Sequence, residues 1–314
     1  MNNNQIILSI CIPTYNRAAF LEGNLNALSK QIKGKNMLIE LIVSDNCSTD
    51  NTKEVVDNIK SEKFPIKYMH HDRNLGMDGN FISCLKSASG KYVWLLGDDD
   101  YLLDGTIETI LDILKKSEIG LLHLNMDKSL YSRECTIKVY QKSEDIISDI
   151  SYWITFISSN IVNTKYVNLI NFDKYIGTYF TAIPLYLQAA FSEKENVILF
   201  QQTIDGGKNS QSNGGYNIFE VFIKNYLTIC RSFSSLGYSA RMLKKEKFKL
   251  YKNFLSEYII SLLIFKRKSC FQTKGAWKII LQEYMTAWYF LPVLLITPFK
   301  YMVNFIVSLC HQIQ

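Results

Sequence analysis

The sequence predicts an α/β protein, a mostly parallel sheet flanked by helices, followed by a helical C-terminal region. Three observations carry that reading. Short apolar runs alternate with helix-period segments through residue 125, the pattern of a parallel sheet with covering helices. From residue 218 onward the apolar spacing becomes helical and the charge strongly basic. Hydrophobic residues make up 47% and charged residues 20%, a globular balance that excludes a wholly disordered, collagen-like or coiled-coil chain. A length of 314 residues suggests two domains, placed at 1–217 and 218–314.

In order, the expected strands are 6–12, 38–44, 66–71, 92–96 and 121–125, with helices at 18–33, 52–61, 79–89 and 106–116 between them. Segments 153–163 and 179–191 read as helical or mixed, and 196–204 as a strand. The Gly/Asn/Ser-rich stretch 205–217 reads as a mobile loop. No fixed-period repeat is present, so a solenoid is not expected. Segment 218–236 is amphipathic, 241–252 carries six basic residues and one acid, and Lys266-Arg267-Lys268 follows an apolar run. Between Glu283 and His311 the only charge is Lys300. That length allows a membrane span, but Pro292 and Pro298 suit a helix lying in the interface or a re-entrant hairpin better.

The net charge of +6 does not by itself indicate a nucleic-acid binder, and it hides an asymmetry. Residues 1–223 hold 21 Lys+Arg against 26 Asp+Glu, and residues 224–314 hold 14 against 3, so a −5 body is joined to a +11 tail. Such polarity suggests an anionic surface, here a membrane, as the partner of the tail. Seven cysteines lie dispersed without a CxxC pair, which fits a reducing cytosol. The first residues lack the basic start of a secretory signal, so the N-terminus reads as mature.

Ligands of open α/β sheets sit beyond the carboxyl ends of the strands, and here each such end is polar. The triplet Asp98-Asp99-Asp100 follows an apolar strand. Residues two apart in extended chain face one way, so Asp98 and Asp100 can share a divalent cation that bridges a diphosphate, with Asp99 aimed elsewhere. A solvated, helix-capping turn is the plainer reading, but unpaired carboxylates after a buried strand are costly without a cation or basic partner. Asp45 either accepts from a nucleobase edge or ribose hydroxyl, or caps a helix that Ser48, Thr49 and Asp50 already cap. Tyr15, after Pro13-Thr14, either stacks on a base, leaving Asn16 and Arg17 near the phosphates, or faces the core. Arg73 reads as a base or phosphate contact or as a solvated turn residue. His70 and His71, with Asp72 and Asp78 as sequence neighbours, lack the spacing of a metal site, and His123 reads as a satisfied, half-buried histidine.

Four segments in this order resemble the family 2 glycosyltransferases of the GT-A fold: 9–17 with Pro13, Tyr15 and Arg17; 42–50 with Asp45; Arg73-Asn74-Leu75-Gly76 through Asn80; and 96–100. Together they run from residue 9 to residue 100. The loop 206–216 and the basic tail look like bacterial O-antigen or abequosyltransferase-type enzymes. The resemblance implies a Rossmann-like GT-A domain and transfer of a sugar from a nucleotide diphosphate sugar to a hydroxyl of a glycan or lipid-linked acceptor, with no nucleic acid involved. It implies Mg²⁺ or Mn²⁺ at Asp98 and Asp100, and donor contacts from Pro13, Tyr15, Arg17, Asp45, Arg73 and Asp98. A membrane-associating tail would place the enzyme in the cytoplasm, peripheral on the inner face of the membrane. Relatives use a second-half carboxylate, often in a Glu-Asp pair, as general base, and segment 180–192 has none. Asp99, Asp173 and Asp205 are the catalytic candidates, with Glu193 and Glu195 also considered.

Two alternatives stand beside that reading. A sugar-nucleotide nucleotidyltransferase shares the GT-A-like sheet but carries a glycine-rich signature after its first strand, and 13–17 has no glycine. A non-catalytic membrane-surface protein with a degenerate site would leave the acidic triplet idle.

Overall fold

The computed structural model describes residues 6–32, 34–35, 37–60, 64–132, 136–206 and 215–298. The chain divides into two compact units, 1–210 and 211–314. Most of the expected loop at 205–217, and the end of the apolar span beyond residue 298, lie outside the described residues.

The first unit is built on an eight-stranded sheet in the order β3-β2-β1-β4-β8-β6-β9-β7, with four of its seven pairings parallel. At its centre are β1 (Leu8–Thr14) and β4 (Tyr92–Leu95), both buried along their whole length. Continuous apolar character without alternation is what burial on both faces demands. Outside β1 lie β2 (Ile39–Asp45) and β3 (Lys67–His70). On the other side β8 (Asn160–Asn163) runs antiparallel between β4 and β6 (Leu121–Leu124), followed by β9 (Asn196–Leu199) and β7 (Ile137–Tyr140).

Helices α1 (Ala18–Ile32), α2 (Thr52–Ile59), α3 (Gly76–Ser87) and α4 (Thr106–Lys116) follow the first strands, as the periodicity predicts. The helix-period residues Leu21, Leu25, Leu28 and Ile32 of α1 are buried in the same core as Ile107, Ile110, Leu111 and Leu114 of α4. The expected strand 196–204 is two: after β9 the chain turns, and β10 (Ile204–Gly206) pairs antiparallel with the short β5 (Asp100–Leu102) in a separate ribbon. Segment 153–163 is short 3₁₀ turns leading into β8, and α6 (Ile183–Ser192) occupies the second mixed segment, after α5 (Ser143–Ile150).

The second unit is helical, with helices at 218–232, 240–264 and Ala276–Tyr284 and a further one at 290–298. None of the described helices is long and apolar enough to cross a membrane.

Candidate active site

Strand order reverses between β1, which leads outward to β2 and β3, and β4, which lies on the opposite side. Such a switch point leaves a crevice at the carboxyl ends of its two strands. Here Thr14 ends β1 and its hydroxyl donates to Asp98 Oδ2, just beyond β4, at 2.8 Å. The acidic turn is held from three directions. The Asn24 amide on α1 donates to the carbonyls of Gly97 at 2.9 Å and Asp100 at 2.8 Å. Ser158, in the turn before β8, donates its hydroxyl to Asp100 Oδ2 at 2.5 Å and accepts from the Gly97 N–H at 2.8 Å. Trp94 Nε1 in turn donates to the Ser158 carbonyl at 2.8 Å. A Cβ on Gly97 would lie 2.6 Å from Asp100 Oδ2, so a side chain here would push the Asp100 carboxylate out of its place.

Arg17 supplies the positive charge. Its Nε lies 2.9 Å from Asp98 Oδ1 and a terminal nitrogen 2.5 Å from Asp99 Oδ2. Burial nonetheless pushes the Asp98 carboxyl up to about 6, against the pull of Arg17 and the Thr14 hydroxyl. Burial pushes Asp100 up to about 6 as well, against the Ser158 hydrogen bond. Two buried carboxylates with raised pKa values are groups whose ionised forms need a cation, and hard oxygen donors fit Mg²⁺ or Mn²⁺. Among the described residues no three acidic, His or Cys side chains form a complete cage. One or two carboxylates completed by substrate phosphates and water is the usual arrangement for Mg²⁺.

At the end of β2, Asp45 is buried and already well engaged. Oδ1 accepts from the Ser48 N–H at 2.8 Å, and Oδ2 accepts from the Tyr68 hydroxyl at 2.5 Å and lies 3.2 Å from His70 Nδ1. Burial raises its pKa, but these hydrogen bonds prevail and hold it below the usual carboxylate value. The partner of His70 is therefore Asp45, and His71 Nε2 lies 3.1 Å from the Ser44 hydroxyl; neither pairs with its sequence neighbours. Asn16, at φ 52°, donates from its N–H to Ser48 Oγ and accepts from the Thr49 N–H, joining the loops after β1 and β2. Asp50 accepts from Ala18 N–H at the start of α1 and from Thr52 N–H at the start of α2. Pro13 is buried, whereas Tyr15 is 42% exposed and Arg73 is exposed, so Tyr15 does not face the core.

The general-base candidates are scattered. Asp173 is exposed in the turn Phe172–Tyr175. Asp205 is exposed on β10, directly opposite Tyr101; strand alternation turns it to the face away from Asp100. Glu193 and Glu195 precede β9 and so lie at the amino edge of the sheet, where Glu193 accepts from the Tyr166 hydroxyl at 2.8 Å and Glu195 from Gln141 at 3.2 Å. His123 is fully buried rather than half-buried, and burial pushes its pKa down to about 4 despite the Asn160 contact at 3.0 Å. Sequence reasoning missed Asn24, Ser158 and Asp78. The buried Asp78 carboxylate accepts from the Gly177 N–H at 2.7 Å and the Thr181 hydroxyl at 3.1 Å, holding the loop before α6. No local signal marks any of the three, because each acts on a segment dozens of residues away.

Residues 9–160, which include the switch point and every acidic-turn contact described, match the family model Glycosyl transferase family 2. This segment is similar to glycosyl transferase family 2 along its whole length. The segment has curated relatives in bacteria. Abequosyltransferase RfbV of Salmonella typhimurium is 31% identical over 205 residues, covering 55% of this chain and 58% of that protein. The GalNAc(5)-diNAcBac-PP-undecaprenol beta-1,3-glucosyltransferase of Campylobacter jejuni is 37% identical over 118 residues, 37% of this chain and 36% of that one. The chain thus spans only part of the length of these relatives. Among solved structures, S. aureus TarS 1-349 in complex with UDP superposes with a TM-score of 0.63 at 18% identity, covering 82% of this chain and 75% of TarS 1-349. That likeness establishes the mixed α/β fold of the domain.

Proposed function

We propose that the protein is a glycosyltransferase that moves a sugar from a nucleoside diphosphate sugar to a hydroxyl of a glycan or lipid-linked saccharide, in bacterial surface polysaccharide synthesis. The observation that carries this is the meeting of Thr14 and the Asp98–Asp100 turn at the switch-point crevice. The relatives' names support the reaction class, and the undecaprenol diphosphate in one of them supports a lipid-linked acceptor.

Asp98 and Asp100 would hold the divalent cation, which when bound offsets the charge of the departing diphosphate. Arg17 and Arg73 supply positive charge to the phosphates, and the exposed ring of Tyr15 offers a stacking face for the base. Asp45, kept ionised by its hydrogen bonds, has remaining lone pairs for a base edge or ribose hydroxyl. Asp99, Asp173 and Asp205 are the groups to test as general base. A binding screen of UDP, CDP, GDP and dTDP, with and without Mn²⁺, tests the site; no Mn²⁺-dependent binding of any of them overturns it.

The second unit we assign to an anionic membrane on the cytoplasmic side. Trp277, Leu281, Met285, Trp288, Leu291 and Leu295 are all exposed, with Lys274 and Lys278 exposed beside the first of them. Two of the three acids in 224–314 are engaged internally, Glu283 by Arg231 and Lys247, Glu246 by the Tyr226 hydroxyl. The outward charge is therefore almost wholly basic, and aromatic rings favour the headgroup boundary.

A further inference from the structure

Arg17 stands where two partners compete for it. Its backbone is fixed, because its carbonyl accepts from the Phe20 and Leu21 N–H groups at the opening of α1. Its side chain is partly exposed and packs its guanidinium 4.6 Å from the centre of the Phe20 ring while bridging Asp98 and Asp99. Each oxygen of Asp98 thus already meets a group of the protein, Oδ2 the Thr14 hydroxyl in a hydrogen bond and Oδ1 the Arg17 guanidinium in an ion pair. A divalent cation approaching Asp98 meets a fixed positive charge already in contact with that carboxylate, and in a buried setting that repulsion is poorly screened. A guanidinium fork matches a phosphate as well as it matches a carboxylate, so a diphosphate in the crevice offers Arg17 an equivalent partner.

We propose that Arg17 is an electrostatic latch on the acidic turn: without donor it occupies Asp98 and Asp99 and keeps cation affinity low, and the donor diphosphate draws it away and opens Asp98 to the cation. The latch rests on the reading of this crevice as a nucleoside diphosphate site. Its consequence is that cation and nucleoside diphosphate strengthen each other's binding by one and the same factor.

The test is direct Mn²⁺ binding, followed by electron paramagnetic resonance, for wild type, Arg17→Met, Arg17→Gln and Arg17→Lys, alone and with UDP, GDP, CDP or dTDP. Circular dichroism checks the fold, and three variants keep the outcome from depending on one. In the wild type, one nucleoside diphosphate raises Mn²⁺ affinity at least about tenfold. Arg17→Met and Arg17→Gln bind Mn²⁺ alone at least about fivefold more tightly than wild type, and the nucleotide then adds correspondingly less. Arg17→Lys, which keeps the charge without the fork, falls between. Unchanged or weaker Mn²⁺ binding by the folded neutral variants, with the nucleotide effect intact, overturns the latch and leaves the donor site standing. No effect of any nucleoside diphosphate on Mn²⁺ binding in any protein removes the donor site and the latch together.

Discussion

The side-chain amide of Asn24 donates to the Asp100 carbonyl at 2.8 Å, and the same nitrogen reaches the Gly97 carbonyl, so one residue of α1 clamps both ends of the acidic turn. Asn24→Ala leaves two carbonyls short of a donor. The expected cost is about 1–3 kcal/mol of stability. Turnover should fall by about tenfold or more as the carboxylates lose their placement. Thermal melting and steady-state kinetics check this; an unchanged melting temperature and kcat would mean that Ser158 alone suffices to hold the turn.

Asp98→Ala and Asp100→Ala are each expected to lower transfer at least about 100-fold while the circular dichroism spectrum stays native. Both carboxyls sit in surroundings that disfavour their ionised forms, which offsets the loss of the Thr14 or Ser158 hydrogen bond, so the metal-free melting temperature at neutral pH should change little. Near-normal metal-dependent turnover in one variant would remove that residue from the metal site.

For Asp45→Ala, the donor KM is expected to rise with kcat retained, since a contact to base or ribose is nearly the same in ground and transition states. The variant also orphans the Tyr68 hydroxyl and the Ser48 N–H, so a loss of about 1–3 kcal/mol accompanies it. A large fall in kcat at constant KM would place Asp45 at the reacting atoms instead.

Much of this was legible because parallel strands announce themselves. Residues 10–13 and 92–96 are short, buried apolar runs, and the polar residues after them are expected at the carboxyl edge. What was not legible came from long range. The strand 160–163 is short and begins and ends in asparagine, so its place between β4 and β6 depends on pairing that no local pattern records. Ser158 reaches Asp100 only because of that insertion, across 58 residues of sequence. His70 was read against Asp72 and Asp78, its neighbours in sequence, whereas the parallel register of β2 and β3 sets it opposite Asp45.

The buried His123 gives a pH signature. Its folded pKa of about 4 lies below the ordinary 6.5, so the stability it contributes is present above pH 6.5 and is lost as pH falls toward 4. Integrated over that interval the effect is about 3 kcal/mol. Asp98 and Asp100, raised to about 6, act in the opposite sense over much of the same range, so the total profile hides the effect. The difference in unfolding free energy between wild type and His123→Gln is therefore the observable, and it should shrink or reverse between pH 7 and pH 4. A difference independent of pH would mean that His123 ionises normally in the fold.

Liposome flotation checks the membrane assignment. Binding to anionic vesicles should exceed binding to neutral ones and weaken with salt, since each exposed Lys or Arg near such a surface contributes about 1 kcal/mol. Trp288→Glu, at a position 76% exposed, should reduce flotation without lowering the melting temperature. Indifference to lipid charge and salt would defeat the assignment.

The Asp50 carboxylate, shared between the first N–H of α1 and the first turn of α2, has a thermodynamic meaning beyond capping. Together with Asn16 and Ser48 it makes the loops after β1 and β2 a single preorganised cradle. The disorder of those two loops is surrendered when the chain folds, so a ligand that settles there finds its walls already assembled. Affinity at such a site should then be limited by how fast the ligand leaves rather than by a slow rearrangement before it enters.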